Sequence, residues 1–423
     1  MKNEIKYYDS PRITYEVLDC AFPLTFDQYS NCGFSCLYCF SGFQRAKGNS
    51  KEAYNKKEVH SVNVDKIKKL FRLETKSPLN YFIEQRMPLQ WGGLSDPFCP
   101  FEERMGVGLE LLKFFNEIKY PISFSSKGDL ILRDKRYLDE FKKAGDRWHY
   151  KASIITDETD KARIFEAGVS SPDRRFEVLR ALSDVGTLTT LRIRPFIIGL
   201  TEKTLESLVR KGKEAGCQSV SAEFMCLEMR VSKKENIKAK YNLMSKTLGY
   251  DVVKYYKKNT KGSGYLRLNY NLKKPFVQKL VKLCEKYKMG LLISDAHHKE
   301  KSCSGNCCGV LNSNKNISGW NKVQFTNALQ IAKKNGIITF DDLVNEDPKQ
   351  AEALSKIKLV PALNTKQEER YRNLTLLDWL RFNWNNVKKA TSPYKYFEGI
   401  LEPVGKDDKG NVVYKYNYKK AKI

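Results

Sequence analysis

The sequence predicts an α/β fold with a parallel sheet beneath an outer layer of helices, and three observations lead there. Short apolar runs alternate with helical patterns from about residue 88 to about residue 300. The helical stretches space Leu, Phe and Val at i, i+3 and i+4 and often end in Gly, while the intervening runs are short and nearly continuously apolar. Repetition of that βα unit places helices outside a parallel sheet, open or closed.

The elements follow in order. The first strand is 24-LTFDQ-28, and a cysteine-bearing loop comes directly after it. The second strand opens 88-PLQWGGLSDP-97, and 101-FEERMGVGLELLKFFNEIK-119 has helical spacing. Strand 121-PISFSS-126 leads to helix 137-YLDEFKKAG-145, and strand 150-YKASIITDE-158 to helix 173-DRRFEVLRALSDVG-186. Next come strand 189-TTLRIRPFIIGL-200, helix 202-EKTLESLVRKGKEAG-216 and strand 218-QSVSAEFM-225. Helix 274-KPFVQKLVKLCEKYKMG-290 and strand 291-LLISD-295 complete the series. Residues 311–423 read differently, with helices over 322–336 and 374–389 and a terminal hairpin in 406-KDDKGNVVYKYNY-418 that turns at Lys-Gly-Asn. The expected division is a barrel domain at 1–310 and a mainly helical C-terminal region at 311–423.

Composition narrows the function classes. The chain of 423 residues is 41% hydrophobic and 12% aromatic, which suits a large globular core. Its start, MKNEIKYYDSPRITYEV, has no apolar core of a leader, and no run of about 18 apolar residues occurs, so a cytoplasmic protein is expected. Eleven cysteines in a large chain without such a leader point to metal or catalysis rather than to disulfides. Lys and Arg (75) exceed Asp and Glu (49) by 26 charges. That surplus draws a protein towards polyanions, although Lys, Asn, Ile and Tyr are frequent throughout, as in AT-rich coding.

The most specific stretch is 31-NCGFSCLYCF-40, where Cys32, Cys36 and Cys39 are spaced C-x3-C-x2-C and Tyr38 precedes the last. Active sites of βα barrels collect at the C-terminal ends of the strands, and this loop follows the first strand. A structural zinc site takes four closed ligands, usually as two pairs, and no second pair stands nearby. Three thiolates suit a 4Fe-4S cluster that keeps one iron open to an outside ligand.

The motif resembles the signature of the radical S-adenosylmethionine (SAM) superfamily. The segments 92-GGLSDPFCPFE-102, 124-FSSKGDLILRD-134, 153-SIITDE-158, 166-EAGVSSPDRR-175 and 194-RPFIIGL-200 together resemble its spore photoproduct lyase-like branch over residues 20 to 310. The resemblance implies a partial βα TIM-like barrel of the radical SAM type, carrying the additional C-terminal region. It also implies a 4Fe-4S cluster on Cys32, Cys36 and Cys39, reduced by a flavodoxin- or ferredoxin-type electron donor, and reductive cleavage of SAM to a 5'-deoxyadenosyl radical. By the same resemblance Tyr38 packs near the adenine, Ser95 and Asp96 meet the SAM amino group, and Gly92 and Gly93 permit close backbone approach. Lys127 pairs with the SAM carboxylate, and Ser153 lies near the ribose. One departure is plain: the lyase has a hydrogen-donating cysteine directly before its Ser-Asp, and this chain has Leu94. Cys99, in the same loop, is the candidate replacement; the other reading makes it an inert buried thiol.

A second cluster, 294-SDAHHKEKSCSGNCCG-309, follows a late strand. Asp295, His297 and His298 are expected at the barrel mouth, with acid-base or ligand roles for Asp295 and His297. Cys303, Cys307 and Cys308 are candidates for a second metal site completed by His297 or Cys226, for a hydrogen donor, or for reactive thiols without a site. Residues 233–262 hold nine lysines, two acids and four tyrosines. They fit a groove in which lysines neutralise phosphates and tyrosines stack on bases, and they equally fit solvated helix faces over a tyrosine core. If DNA is the substrate, the reacting base must leave the stack to reach a barrel pocket. Trp379 and Trp384 read as packing. The rival to an enzyme is a basic nucleic-acid-binding protein whose cysteines hold a structural metal.

Overall fold

The computed structural model describes residues 7–13, 18–42, 51–228, 235–260, 265–317, 319–358 and 373–422. Its strands are β1 (Arg12–Ile13), β2 (Leu24–Phe26), β3 (Ser35–Cys36), β4 (Leu89–Trp91), β5 (Ile122–Ser126), β6 (Trp148–Ser153), β7 (Glu166–Ala167), β8 (Leu188–Phe196), β9 (Ser219–Phe224), β10 (Cys226–Leu227), β11 (Leu266–Arg267), β12 (Gly290–Ile293), β13 (Ile337–Ile338), β14 (Leu401–Lys406) and β15 (Val412–Tyr416). Eight form one sheet in the order β1-β2-β4-β5-β6-β8-β9-β12. All its pairings are parallel except that of β1 with β2, so spatial order follows chain order. This is the expected partial βα barrel, with β1 and β12 as its edges.

Helices Val107–Glu117, Lys135–Ala144, Pro172–Asp184, Thr201–Glu214 and Tyr270–Lys286 connect the strands and cover the outer face. Their buried Leu111, Phe115, Phe141, Leu179, Leu208 and Leu280 pack on Phe124, Tyr150, Leu191 and Val220 of the strands. The single helix expected over 101–119 is two, because Gly106 takes a left-handed φ of 67° and separates Pro100–Met105 from Val107–Glu117. Glu102, fully buried, accepts from the amides of Gly108 (2.7 Å) and Leu109 (2.9 Å), capping the second helix, and from the phenols of Tyr29 (2.7 Å) and Tyr137 (2.5 Å).

The strands correct one expectation. They are not apolar on both faces but alternate, with His149, Lys151 and Ser153 on β6, Thr190, Arg192 and Arg194 on β8, and Ser219, Ser221 and Glu223 on β9 turned away from the helix-covered side. These groups bond across the inner face: His149 Nδ1 to Ser123 Oγ (2.9 Å), His149 Nε2 to Thr190 Oγ1 (2.7 Å), and Thr190 Oγ1 to Ser219 Oγ (2.8 Å). A period-2 pattern is what strands covered on one face only show.

Between β9 and the helix Tyr270–Lys286 the chain inserts the β10–β11 pair and the helices Glu235–Leu248 and Val252–Asn259. Tyr241, Met244, Val252 and Tyr256 of this insertion form a second core with Ile155, Ile197 and Met225, against which Leu37 and Tyr38 pack. Its tyrosines are therefore core or half-buried, Tyr250 donating to Ile198 O (2.8 Å), while Lys238, Lys240, Lys246, Lys254, Lys257 and Lys258 are exposed. Lys233, Lys234 and Lys261 lie outside the described residues.

Residues after 310 add helices Phe325–Asn335 and Leu376–Asn385 and the antiparallel sheet β13-β15-β14, whose β14–β15 hairpin turns at Asp407–Asn411 with Gly410 at φ 79°. Trp384 is fully buried against Phe325, Phe340 and Tyr414 and donates to Val412 O (2.6 Å). The same hydrophobic core runs on into the barrel. Trp379 is half-buried and stacks on Phe382 at 5.7 Å. Among the described residues no helix is long and apolar enough to cross a membrane.

Candidate active site at the barrel mouth

The cysteine loop is held to the end of the barrel by a short antiparallel pair. Ser35 stands opposite Ala167 and Cys36 opposite Glu166, and Leu37 N donates to Phe165 O (2.9 Å). Gly33 lies so close to Pro100 that a Cβ there would stand 3.0 Å from the proline ring, which seats the loop on the start of the next βα connection. Cys36 is buried, and burial pushes its thiol well up while the Lys127 ammonium opposes the shift; Cys32 and Cys39 also act on it electrostatically. Cys39 Sγ contacts Ser41 Oγ (3.1 Å). Cys32 shares a hydrogen bond with the thiol of Cys99, which keeps the Cys32 proton in place, and Cys99 is buried at the start of the helix Pro100–Met105.

Around this loop the other expected residues gather. Gly92 has φ 93°, and a Cβ there would fall 2.4 Å from Ser125 O; at Gly93 it would fall 2.7 Å from Thr25 Oγ1. Only glycine allows this approach. Ser95 Oγ donates to Tyr29 O (3.0 Å). Asp96 faces inward, accepting from Ser126 Oγ (2.7 Å), Phe98 N (2.9 Å) and Lys127 N (2.7 Å), so it locks the β4 loop to the β5 loop. Burial still pushes its carboxyl up against those bonds. The Lys127 ammonium sits 5.7 Å from the centre of the Tyr38 ring. Ser153 closes β6, its hydroxyl accepting from Arg192 (3.0 Å).

Sequence reasoning missed three supports. Asp27, fully buried at the end of β2, accepts from the amides of Leu94 (2.8 Å) and Ser95 (2.9 Å) and pairs with Arg12 (2.8 Å). Glu166 and Arg175, each 1% exposed, form an ion pair of 2.6 Å; the Tyr38 phenol donates to Glu166, and Arg175 donates to Ser153 O (2.5 Å). A chain of contacts thus runs from the cysteine loop to β6. Its signal lay at the two ends of 166-EAGVSSPDRR-175.

The second cluster divides. Asp295 is paired with Lys273 (2.7 Å), and His297 lies between Lys273 (2.9 Å) and Glu398 (3.0 Å), so both are engaged by the helix Tyr270–Lys286 and the C-terminal region. His298 stacks on Tyr270, and burial lowers it to about 4, leaving it neutral at physiological pH. Cys303 is exposed on the outside, and Cys226 belongs to β10. Cys307 and Cys308 turn into the barrel, their loop held by Ser221 Oγ to Cys307 O (2.8 Å), Arg194 to Cys307 O (2.5 Å) and Ser219 Oγ to Gly309 O (2.7 Å). The structure therefore does not gather 303, 307 and 308 together.

Among the described residues no three His, Cys, Asp or Glu side chains converge as the ligands of one metal ion do. Cys32, Cys36 and Cys39, one buried and two half-buried thiols of a single loop, are the donor set a cubane takes, since each thiolate there binds a different iron and the three need not ligate one ion.

No family model and no curated protein matches the chain. Solved structures do. A cysteine-to-serine mutant of spore photoproduct lyase is similar at a TM-score of 0.50 and 14% identity, over 68% of this chain and 80% of that one. A mutant of the lyase with bound AdoMet and dinucleoside spore photoproduct gives 0.49 and 14% over 67% and 80%. SuiB of Streptococcus suis bound to S-adenosylmethionine gives 0.41 and 13% over 65% and 50%. The first likeness shows a shared fold, the partial barrel of the lyase.

Proposed function

We propose that the chain is a radical SAM enzyme of the spore photoproduct lyase-like branch. The observation that carries the reading is the convergence, at one end of the barrel, of three cysteines on a docked loop with Tyr38, the Gly92–Asp96 turn and Lys127. Cys32, Cys36 and Cys39 hold a 4Fe-4S cluster in this reading, and their thiols must lose protons to do so, which makes loading pH-dependent. When bound, cluster and SAM supply a 5'-deoxyadenosyl radical, by one-electron reduction from a flavodoxin- or ferredoxin-type donor, that abstracts hydrogen from the substrate.

The protein supplies position and a dry wall. Lys127 offers an ammonium to the SAM carboxylate, Gly92 and Gly93 open the backbone edge beside Ser95, and Ser153 presents its hydroxyl to the ribose. Asp96 acts on the amino group through Oδ2, which accepts only from Lys127 N and retains room for another donor, while Oδ1 is taken by Ser126 and Phe98. Tyr38, tied to Glu166, packs as the adenine-side wall. The barrel is assigned to residues 1–310, with 311–423 as a region packed on it, in a cytoplasmic protein whose eleven cysteines form no disulfide.

Nucleic acid is the proposed substrate class. The lyase structure with a dinucleoside photoproduct, the exposed lysines over 238–258 and the net charge of +26 support it. Leu94 in place of a cysteine argues against photoproduct repair itself, and the hydrogen bond of buried Cys99 to Cys32 supports a role beside the cluster loop over one as hydrogen donor to a substrate. The test is 5'-deoxyadenosine release from SAM by anaerobically reconstituted, dithionite-reduced protein, against Cys36→Ala, with and without DNA oligonucleotides. Release by wild type only, stimulated by oligonucleotide, is expected. Zinc without iron and no release would leave a metal-clipped nucleic-acid binder.

A further inference from the structure

The inner face of the barrel carries three cations, Lys151, Arg192 and Arg194, with few acids beside them. Lys151, 2% exposed, points inward from the middle of β6, and its ammonium donates to two neutral oxygens, Gln90 Oε1 (2.5 Å) and Ser123 Oγ (2.8 Å). Arg192, in register with Ser153, donates to the Ser153 hydroxyl. Neither cation has a carboxylate within ion-pair distance among the described residues. Arg194, two residues on along the same face, has one acid, Glu223, at 3.8 Å, and that side chain is 42% exposed. Its Nε is buried without an acceptor.

The nearby charges do not cancel these three. Lys299 is neutralised by Asp19. Cys307, beside Arg194 and Lys299, is drawn towards thiolate, yet with Cys307 ionised and Glu223 counted the cations remain in surplus by one. Burial lowers Lys151 to about 8 and Arg192 to about 10, the direction expected of cations without partners. Arg192, Arg194, Cys307 and Cys308 are nonetheless partly exposed although strands and the 303–309 loop surround them, so the chamber is open. It spans the level of Ser153, with Lys151 one strand layer below it, Arg192 level with it and Arg194 one layer above, since residues two apart on a strand stand about 6.5 Å apart on one face.

We propose that this chamber binds an oxyanion of the substrate, a carboxylate or a phosphate, through the guanidinium groups of Arg192 and Arg194 and the ammonium of Lys151. The inference rests on the radical SAM reading, because it takes the space beneath the cysteine loop as the place where substrate is held. Guanidinium forks and an ammonium that already has two neutral acceptors are suited to an anion with several oxygens.

The test is calorimetric titration of reconstituted protein, with SAM present, using inorganic phosphate in one arm and acetate in the other, at ionic strength fixed with potassium chloride. One anion is expected to bind saturably at one site, its identity assigning phosphate or carboxylate. Lys151→Gln and Arg194→Gln should each weaken it by about tenfold or more, the loss of a charge-assisted bond, while Lys142→Gln, on the exposed face of the helix Lys135–Ala144, binds as wild type. Should Arg194→Gln fail to fold, Arg194→Lys keeps the charge without the fork and should still weaken binding. Saturable binding of neither anion, or wall variants that bind as wild type, overturns the inference. Deoxyadenosine release is measured on the same wild-type preparation: release without anion binding removes the chamber alone, and no release removes the enzyme reading and the inference with it.

Discussion

Replacing Arg175 with methionine tests the contact chain that fixes the cysteine loop. The substitution nearly conserves length and removes the guanidinium that pairs with Glu166 at 2.6 Å and donates to Ser153 O. Glu166 then keeps only the Tyr38 phenol as a side-chain donor, in a site 1% exposed. Breaking a buried pair from one side costs about 3–5 kcal/mol, because a charge is left uncompensated. For a chain of this length the unfolding entropy near the midpoint is about 0.9 kcal/mol per kelvin, which converts that cost into a melting point ~3–6 °C lower. The assay is calorimetric melting of wild type, Arg175→Met, Glu166→Gln and the double variant. The double variant should lose less than the singles combined, since the second change removes the stranded charge. Because Glu166 is the register partner of Cys36, Arg175→Met should also bind less iron on reconstitution. A melting point within about 1 °C of wild type would refute the argument that this pair carries the loop.

Three further outcomes are expected. Gly92→Ala should fold poorly or lose about 3 kcal/mol or more, read as the urea midpoint, since a left-handed φ and a Cβ 2.4 Å from Ser125 O are both penalised. Glu300, buried with neither carboxylate oxygen hydrogen-bonded, is raised by burial from 4.5 to about 7. A carboxyl whose folded pKa is raised favours the protonated folded state, so its favourable share is present below about pH 4.5 and lost as pH rises towards 7; relative to Glu300→Gln, wild type should lose about 3 kcal/mol between pH 4.5 and 8, and a pH-independent difference would contradict this. Tyr38→Phe should leave the melting point within a few degrees yet slow deoxyadenosine release, because the ring remains while its tie to Glu166 is cut.

Much of the fold was legible because it depends on periodicities. Phe115, Leu179 and Leu208 recur at helical spacing, and their packing under the sheet follows from that spacing. What failed was the reading of the strands as apolar on both faces. In 189-TTLRIRPF-196 the inward positions Thr190, Arg192 and Arg194 alternate with Leu191 and Ile193, a period-2 signal masked by apolar neighbours and by the shortness of the other strands. The break at Gly106 was invisible for a different reason. Leu, Phe and Val continue the helical stripe across it, and only the Glu102 carboxylate capping Gly108 and Leu109 makes two helices better than one.

The site shows the same division between local and distant information. Cysteine spacing and the Gly-Gly-Leu-Ser-Asp turn are local, so Cys32, Cys36, Cys39, Gly92 and Asp96 could be picked out in sequence, although the inward role of Asp96 could not. Asp27, Glu166 and Arg175 act across separations of 67, 128 and 22 residues, to Leu94, Tyr38 and Ser153. No spacing rule reaches that far. Asp295 and His297 show the converse: a local pattern suggested catalytic groups, whereas Lys273 and Glu398 hold them in an ion-paired junction with the C-terminal region. A charged group's role depends on what faces it. The paired Asp295 has its neutralising charge in the fold, and Lys151 has no carboxylate at ion-pair distance among the described residues, so the inner wall of the barrel is where the chain leaves work for a ligand to do.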